Sequence, residues 1–258
     1  MIVIDKLCYQ SGLRHVNAGE KFAFAMITLL LCVVSRSIAC ACIVLAATGI
    51  LTVWKGGIPV FRYLKLMTVP LAFLLLGTLA IIIDVSKTRQ DFLALPLGDW
   101  YVGVTFSSFF YALQLIGTAL AAVSCLYFLS LSTPMPDILN VLRAIHCPTL
   151  LCELMLLIYR FIFILMEVAS AITISQHSRL GNRNWRTSLK SFSALGSVLL
   201  LRSFKRANAL YDAMEARCYD GTIRVLNESF PPKAGEILCF ALLDLLFLAV
   251  MVLERIQI

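Results

Sequence analysis

The sequence has few charged residues: Asp, Glu, Lys and Arg together make up 14% of its 258 residues. A soluble domain averages about 25% charged and about 45–50% apolar residues, whereas 60% of this chain is hydrophobic. The scarcity of charge leaves little room for a soluble domain. The composition therefore indicates an integral membrane protein.

Several short motifs are also missing. None of the nine cysteines forms a C-x-x-C pair, so neither zinc nor redox chemistry is expected. No Walker motif is present, so we do not expect this chain to bind ATP. The start of the chain lacks the order of residues typical of a cleaved signal peptide. No catalytic cluster is found, which excludes an enzyme, and no cofactor or nucleic-acid partner is expected.

Metal binding is also not expected, although the chain contains three histidines. His15, His146 and His177 are scattered over separate segments. His146 and Cys147 are adjacent, and neighbouring residues on a helix do not readily bind one ion. A protein metal site needs several ligands that converge.

Apolar runs of about 20 residues can cross the roughly 30 Å hydrocarbon core of a bilayer. The first apolar block, Phe22–Trp54, is interrupted at Ser35-Arg36-Ser37, which predicts two helices joined by a tight turn. Three further spans are predicted at Leu66–Ile83, Val104–Leu131 and Ile237–Leu253. The sequence thus predicts an all-α membrane protein with five spans.

A sixth apolar run, Thr149–Ile174, is long enough to span but carries Glu153, Arg160 and Glu167 at a spacing of seven. This spacing places the three charges close to one helical face, where burial in lipid is unfavourable. We therefore place the run outside the bilayer. The three charges either form structural ion pairs within a helical domain or contact a partner.

Basic residues in the loops predict the orientation. The segments Gly12–Lys21 and Lys55–Lys65 are basic, and His177–Arg206 contains seven Arg and Lys residues and no acidic residue. Five spans with a cytoplasmic N-terminus place all three segments in the cytoplasm, and the loop Asp84–Trp100 and the C-terminus outside. Arg36 is the exception to this rule, because this arrangement places it outside. A sixth span would move His177–Arg206 outside, against the rule.

The predicted organisation has three parts: residues 1–131 with four spans, 132–232 as a cytoplasmic helical domain, and 233–258 with the last span. Three long helices are expected in the cytoplasmic domain. Ser132 or Thr133 caps the first helix, and Pro148 ends it and begins the second. A Gly-Asn turn separates the second from a third helix, Trp185–Cys218. Two half-apolar helices outside the bilayer need a partner to cover them.

Four stretches resemble one known family. They are "GLRHVNAGEKF", "STPMPDILNVLRAIHCPTLLCELMLLIYRFIFILMEVASAI", "ISQHSRLG" and "NALYDAMEARCYDG". Together they resemble the transmembrane T component of energy-coupling factor (ECF) transporters, in its CbiQ-type, cobalt-associated branch. The last stretch resembles the second of the family's two arginine signatures, which usually reads Glu-Ala-Arg-Gly, and "ISQHSRLG" falls where the first signature belongs.

The resemblance implies energy coupling in cobalt or nickel uptake. The implied partners are two ABC-type ATPase subunits and a substrate-binding membrane subunit of the CbiM type, in the inner (cytoplasmic) membrane. It implies that the signature arginines, Arg179 and Arg217, enter grooves on the ATPases. The neighbouring signature residues are Ser178, Ala216 and Glu215.

Two departures from the family pattern bear on the fit of these contacts more than on their role. Cys218 replaces the usual Gly, and the first signature reads Ser178-Arg179-Leu180. Arg179 alternatively serves as one more cytoplasmic charge, and Glu215 either pairs with Arg217 or faces solvent.

The alternative function is a stand-alone channel or secondary carrier. Such a protein would require ionisable groups at the bilayer midplane. Asp244 is the main ionisable residue in the predicted spans, and Asp84 lies at the edge of one.

Overall fold

The computed structural model describes residues 3–86, 93–97, 100–104, 106–221, 223 and 230–257. These residues are largely helical. The helices are α1 (Val3–Gln10), a 3-10 helix (Gly12–His15), α2 (Ala18–Ser35), α3 (Ile38–Ile50) with a π-helical extension (Leu51–Lys55), α4 (Val60–Ile82), α5 (Phe106–Ser132), α6 (Met135–Ala144), α7 (Thr149–Ser178), α8 (Trp185–Glu215) and α9 (Ala234–Gln257).

A small antiparallel sheet lies between α4 and α5. Its strands are β1 (Ile83–Ser86), β2 (Leu93–Leu97) and β3 (Trp100–Val104), and β3 is central. Gly103 is aligned with Asp84 on one side and with Ala94 on the other. The sequence predicts only a loop here, because strands this short carry little periodic signal. Residues 87–92, 98 and 99 of that loop lie outside the described residues.

Most predicted helix boundaries agree with the structure. The break at Ser35-Arg36-Ser37 is confirmed: Arg36 adopts a left-handed conformation with φ of 48°, and the Ser37 side chain caps α3. Pro148 precedes α7 and Trp185 begins α8. Two predictions were wrong by a few residues, since α4 begins at Val60 and α8 ends before Cys218. The short helix α1 was not predicted.

Six helices among the described residues are long and apolar enough to cross a membrane, judged by length and composition alone. They are α2, α3 with its extension, α4, α5, α7 and α9. The predicted class, an all-α membrane protein, is confirmed apart from the short sheet. Five of them correspond to the predicted spans. The additional helix is α7, which we predicted from the sequence to lie outside the bilayer. Length and composition do not distinguish the two arrangements, so the five-span topology stays a prediction.

The chain divides into two compact units. One comprises Ile2–Ile138 and Glu228–Ile258, and the other comprises Leu139–Asn227. The first unit has a core formed by α2, α3, α5 and α9. At its centre the Phe24 ring lies 5.5 Å from Phe128 and 4.9 Å from Phe240, measured between centroids. This aromatic cluster joins the first and last long helices of the unit.

One basic residue of this unit does not act as a surface charge. Lys21 is fully buried, and its Nζ donates hydrogen bonds to the carbonyl oxygens of Leu13 and Ser132, each at 3.0 Å. Ser132 is the last residue of α5, whose terminal carbonyls have no partner within the helix. A cation stabilises such an end. Lys21 therefore ties the 3-10 helix to α5 rather than serving only as a positive-inside charge.

Candidate coupling site at two helix ends

The first arginine signature forms the end of α7. The backbone N–H of Gly181 donates to Gln176 O at 2.8 Å, and that of Leu180 donates to His177 O at 3.0 Å. Leu180 has a left-handed φ of 59°. These two bonds and the left-handed residue define a Schellman motif, which satisfies the last carbonyls of a helix. Arg179 stands immediately before the left-handed residue.

The second signature forms the end of α8 in the same way. The backbone N–H of Tyr219 donates to Met214 O at 3.1 Å, and that of Cys218 donates to Glu215 O at 2.9 Å. Cys218 is left-handed with a φ of 57°. Arg217 again stands immediately before it. The two signature arginines therefore occupy the same position in the same helix-ending motif.

Both arginine side chains are exposed. Neither makes a side-chain hydrogen bond or an ion pair with any other residue that the structure describes. The residues before them differ: Ser178 Oγ donates to Ile174 O at 3.1 Å, whereas Ala216 has no polar side chain. Both guanidinium groups are thus free to bind carboxylates or carbonyls of another molecule, with several donors in a fixed plane.

The turn between α7 and α8 is fixed by side-chain hydrogen bonds. Gln176 Nε2 donates to Ser191 O at 2.8 Å, and Ser191 Oγ donates back to Gly181 O at 2.8 Å. Asn184 and Thr187 form a capping box that begins α8. We call the reciprocal pair of bonds between Gln176, Gly181 and Ser191 the turn clasp. It holds the backbone that carries Arg179.

The chain matches the family model described as "CbiQ: Cobalt transport protein" over residues 10–227. The chain belongs to this family. The resemblance found in the sequence is confirmed, and the family is described as one of transport proteins.

Three similar proteins have informative names. The cobalt transport protein CbiQ of Salmonella typhimurium is 30% identical, over 86% of this chain and 98% of its own length. The putative fused cobalt transport protein CbiMQ of Methanocorpusculum labreanum is 29% identical, over 88% of this chain and 38% of its own length. The energy-coupling factor transporter transmembrane protein EcfT of Staphylococcus aureus is 28% identical, over 60% of each chain.

The helix-end geometry explains why a glycine usually follows the arginine in the second signature of the family pattern. The third residue of each tripeptide is the left-handed one, and glycine adopts that conformation without the clash that a Cβ introduces. This CbiQ-family chain has Leu180 and Cys218 there. Both residues keep the left-handed conformation, so the departures from the pattern leave the motif intact.

The helix α6 ends similarly but has no arginine at the corresponding position. Cys147 N–H donates to Leu142 O at 3.0 Å, His146 N–H donates to Arg143 O at 3.1 Å, and His146 is left-handed with a φ of 65°. Ile145 occupies the position of the signature arginines. The motif is therefore a general way to end these helices, and the arginines are what distinguish the two signatures.

The charged face of α7 differs from the predicted ion pairs. Among the described residues no salt bridge joins Glu153, Arg160 and Glu167. Glu153 is buried, with 4% of its surface exposed, and accepts hydrogen bonds from Tyr219 and Ile223. Glu167 is exposed, and so is Arg160, which lines a groove of about 230 Å³ between α7 and α8. The ion-pair interpretation was wrong because the partners of Glu153 are neutral donors.

One smaller expectation, the role of Glu215, is also resolved by the geometry. Glu215 is exposed and forms no ion pair with Arg217 in the described part of the chain, so it faces solvent.

Among the described residues, no group of three or more His, Cys, Asp or Glu side chains could hold a metal ion. The bonds of Glu153 were missed by sequence reasoning, since its partners lie about 70 residues along the chain.

Proposed function

We propose that this chain is the transmembrane coupling subunit of an ATP-driven importer for cobalt or nickel ions. The observation that carries the proposal is the matching geometry of Arg179 and Arg217. Each is an exposed arginine without a partner among the described residues, held at the end of a long helix. In this function each guanidinium enters a groove on one of two ABC-type ATPase subunits and donates hydrogen bonds there.

The helices supply the lever for such coupling. α7 has 30 residues and α8 has 31, so each is about 45 Å long at 1.5 Å per residue. A continuous α-helix moves as one body over that length. Motion of an ATPase at one helix end is therefore carried along the helix, and in the proposed complex it is passed on to the substrate-binding subunit.

The surface of α8 supports a partner. None of its residues is buried, and its exposed apolar residues include Trp185 (83% exposed) and Phe192 (71% exposed). Exposed apolar surface on this scale marks a site of interaction with protein or lipid. In the proposed complex this face is covered by a neighbouring subunit or by the bilayer.

A CbiM-type membrane subunit is the proposed source of the metal ion. The fused CbiMQ relative joins CbiM and CbiQ in one name, and this chain aligns to 38% of its length. A fusion of two proteins indicates that they act together. We infer that this chain binds a separate CbiM-type subunit, which selects the metal.

In the proposed arrangement the protein lies in the inner membrane and crosses it five times. The N-terminus and the signature helices are in the cytoplasm. This arrangement predicts where Asn182, an exposed residue of the turn between α7 and α8, can be labelled. Asn182→Cys, in a chain whose exposed Cys42 and Cys218 are replaced by Ser, should react with an impermeant maleimide only after the cells are permeabilised. Labelling in intact cells would instead favour six spans.

The test of coupling is the recovery of ATPase subunits with the affinity-purified membrane complex. Truncating one partner of a buried charged contact weakens binding by about 2–5 kcal/mol, or roughly 30-fold or more. Because two contacts on one chain act bivalently, Arg179→Ala or Arg217→Ala alone should weaken recovery. The double variant should release the ATPases. Arg217→Lys should also weaken recovery, since an ammonium group lacks the planar fork.

Arg183→Ala is the matched control. Arg183 is an exposed arginine near the first signature but outside the helix-ending position, so its loss should leave ATPase recovery nearly unchanged. The proposal is falsified if the double variant keeps its ATPases and transports at the wild-type rate. If Arg183→Ala is as damaging as Arg179→Ala, a diffuse basic patch is responsible rather than one arginine.

The same purification tests the alternative, a stand-alone channel or carrier. The unit that comprises Ile2–Ile138 and Glu228–Ile258 contains a polar contact that such a function would use. The Thr28 hydroxyl lies 2.9 Å from Asp244 Oδ1. A channel or carrier would transport without any ATPase bound. Transport by the purified chain alone, abolished by Asp244→Asn, would favour this alternative over coupling.

A further inference from the structure

The segment that follows the second signature is fastened to the beginning of α7. Tyr219 Oη donates to Glu153 Oε2 at 2.7 Å, and the backbone N–H of Ile223 donates to Glu153 Oε1 at 2.8 Å. Glu153 lies in the first turns of α7, and Tyr219 is the second residue after Arg217. We call this pair of bonds the Glu153 latch.

Both oxygens of a buried carboxylate are used in the latch. Glu153 is 4% exposed, and burying a carboxylate is unfavourable unless hydrogen bonds replace its water. Both donors come from the segment after α8. Hydrogen bonds to an ionised acceptor are shorter and stronger than neutral ones. The burial of Glu153 therefore depends on Tyr219 and Ile223 lying in this one position.

The latch also reaches the end of α6. Arg143 Nη2 lies 3.5 Å from the carbonyl oxygen of Ile223, at the outer limit of a hydrogen bond. The contact with Glu153 raises the pKa of the Tyr219 phenol, because the hydroxyl proton is held by the carboxylate. A phenol held in this way stays a donor at neutral pH.

We propose that Glu153 is a positioning residue for Arg217, which fixes the second ATPase contact without touching the ATPase itself. This inference rests on the proposed function. The Schellman motif sets the backbone of Arg217 locally, and the latch ties that motif to the beginning of α7. Arg179 is held instead by the turn clasp, so the latch acts on one contact and not on the other.

The test combines latch variants with the loss of either arginine. Tyr219→Phe removes one hydroxyl and keeps the ring, and Glu153→Gln leaves only one oxygen to accept. The matched control is Tyr211→Phe, because Tyr211 lies near the end of α8, is 64% exposed and has no hydroxyl partner in the described part of the chain. Each variant of the full-length protein is reconstituted in nanodiscs, and the binding of the purified cognate ATPase subunits is measured.

The expected result depends on the background. With Arg179→Ala only the second contact remains, and Tyr219→Phe or Glu153→Gln should weaken ATPase binding about fivefold, the effect of losing one hydrogen bond. With Arg217→Ala the same changes should have no further effect. Tyr211→Phe should be silent in both backgrounds. The variant with both Tyr219→Phe and Glu153→Gln should be weakened by less than the sum of the two separate effects, since the two residues share one contact.

Equal weakening in both backgrounds would mean that Glu153 merely stabilises the unit, and no weakening with Arg179→Ala would mean that Arg217 is oriented without it. Either result overturns the inference. If Glu153→Gln accumulates poorly, Tyr219→Phe decides the question alone. A failure of the latch is distinct from a failure of coupling, because in the latter case Arg179→Ala and Arg217→Ala themselves leave ATPase binding unchanged.

Discussion

The ends of α7 and α8 share one backbone motif but are held in different ways. At the end of α7 the supporting bonds are local, since Gln176 near the end of α7, Gly181 in the turn and Ser191 near the start of α8 lie within 15 residues of one another. At the end of α8 the support comes from Glu153, which is 66 residues from Tyr219 along the chain. One exposed arginine, Arg179, is thus held by local bonds around a turn, and the other, Arg217, is held by a tertiary contact.

The turn clasp and the Glu153 latch open under different conditions. A turn clasp forms together with its turn and opens only when the turn itself is disrupted. A latch between distant segments opens when α7 and the segment after α8 separate, so it is sensitive to their relative motion. The two proposed ATPase contacts would therefore differ in what can loosen them, although both arginines occupy the same position in the helix-ending motif.

The largest effect should come from breaking the turn clasp with Gly181→Ala. A Cβ at Gly181 would lie 2.8 Å from Ser191 Oγ and 2.9 Å from the backbone oxygen of Gln176. The serine can rotate away, but the backbone oxygen cannot. We expect a destabilisation of about 1–3 kcal/mol, typical of overpacking, and a weaker ATPase contact through Arg179. Thermal unfolding and ATPase binding in the Arg217→Ala background measure the two effects.

Gly196→Ala is the control for that change. Gly196 lies in the middle of α8, and a Cβ there meets nothing within 4 Å. Replacing an interior helix glycine by alanine should stabilise the protein by about 0.5–1 kcal/mol. If Gly181→Ala is as harmless as Gly196→Ala, the clasp does not hold the first arginine and the contrast between the two ends disappears.

Local patterns in the sequence were sufficient to predict much of this architecture. The turn at Ser35-Arg36-Ser37, the proline before α7 and the start of α8 at Trp185 all depend on residues close in sequence. The two signatures were located for the same reason, because a helix-ending motif is encoded within about six residues. Their functional role stays a proposal.

The parts that sequence reasoning missed depend on residues far apart in the chain. Lys21 was interpreted only as a surface charge, but it is buried against the carbonyl of Ser132. Glu153 was interpreted as a member of an ion-paired face, but it bonds Tyr219 and Ile223. Neither contact leaves a periodic pattern, since each pairs one polar side chain with a group that is distant in sequence.

The smallest effect concerns the left-handed residues themselves, and it tests whether the two ends are locally equivalent. A non-glycine residue in this conformation is disfavoured by roughly 1–2 kcal/mol, and the greater freedom of glycine in the unfolded chain offsets about 0.4–1 kcal/mol of the relief. Cys218→Gly should therefore be more stable than Cys218→Ala by about 1 kcal/mol. Leu180→Gly should exceed Leu180→Ala by a similar amount.

The comparison with alanine isolates the backbone, because both replacements remove the original side chain and only glycine relieves the strain. A difference of that size corresponds to about 2–4 °C in the unfolding midpoint of a chain of this length. ATPase binding should not change, since Arg179 and Arg217 keep their positions. If alanine is as stable as glycine at one end and not at the other, the ends are not equivalent in backbone conformation. The arginine at the exceptional end would then be presented by contacts other than the Schellman motif.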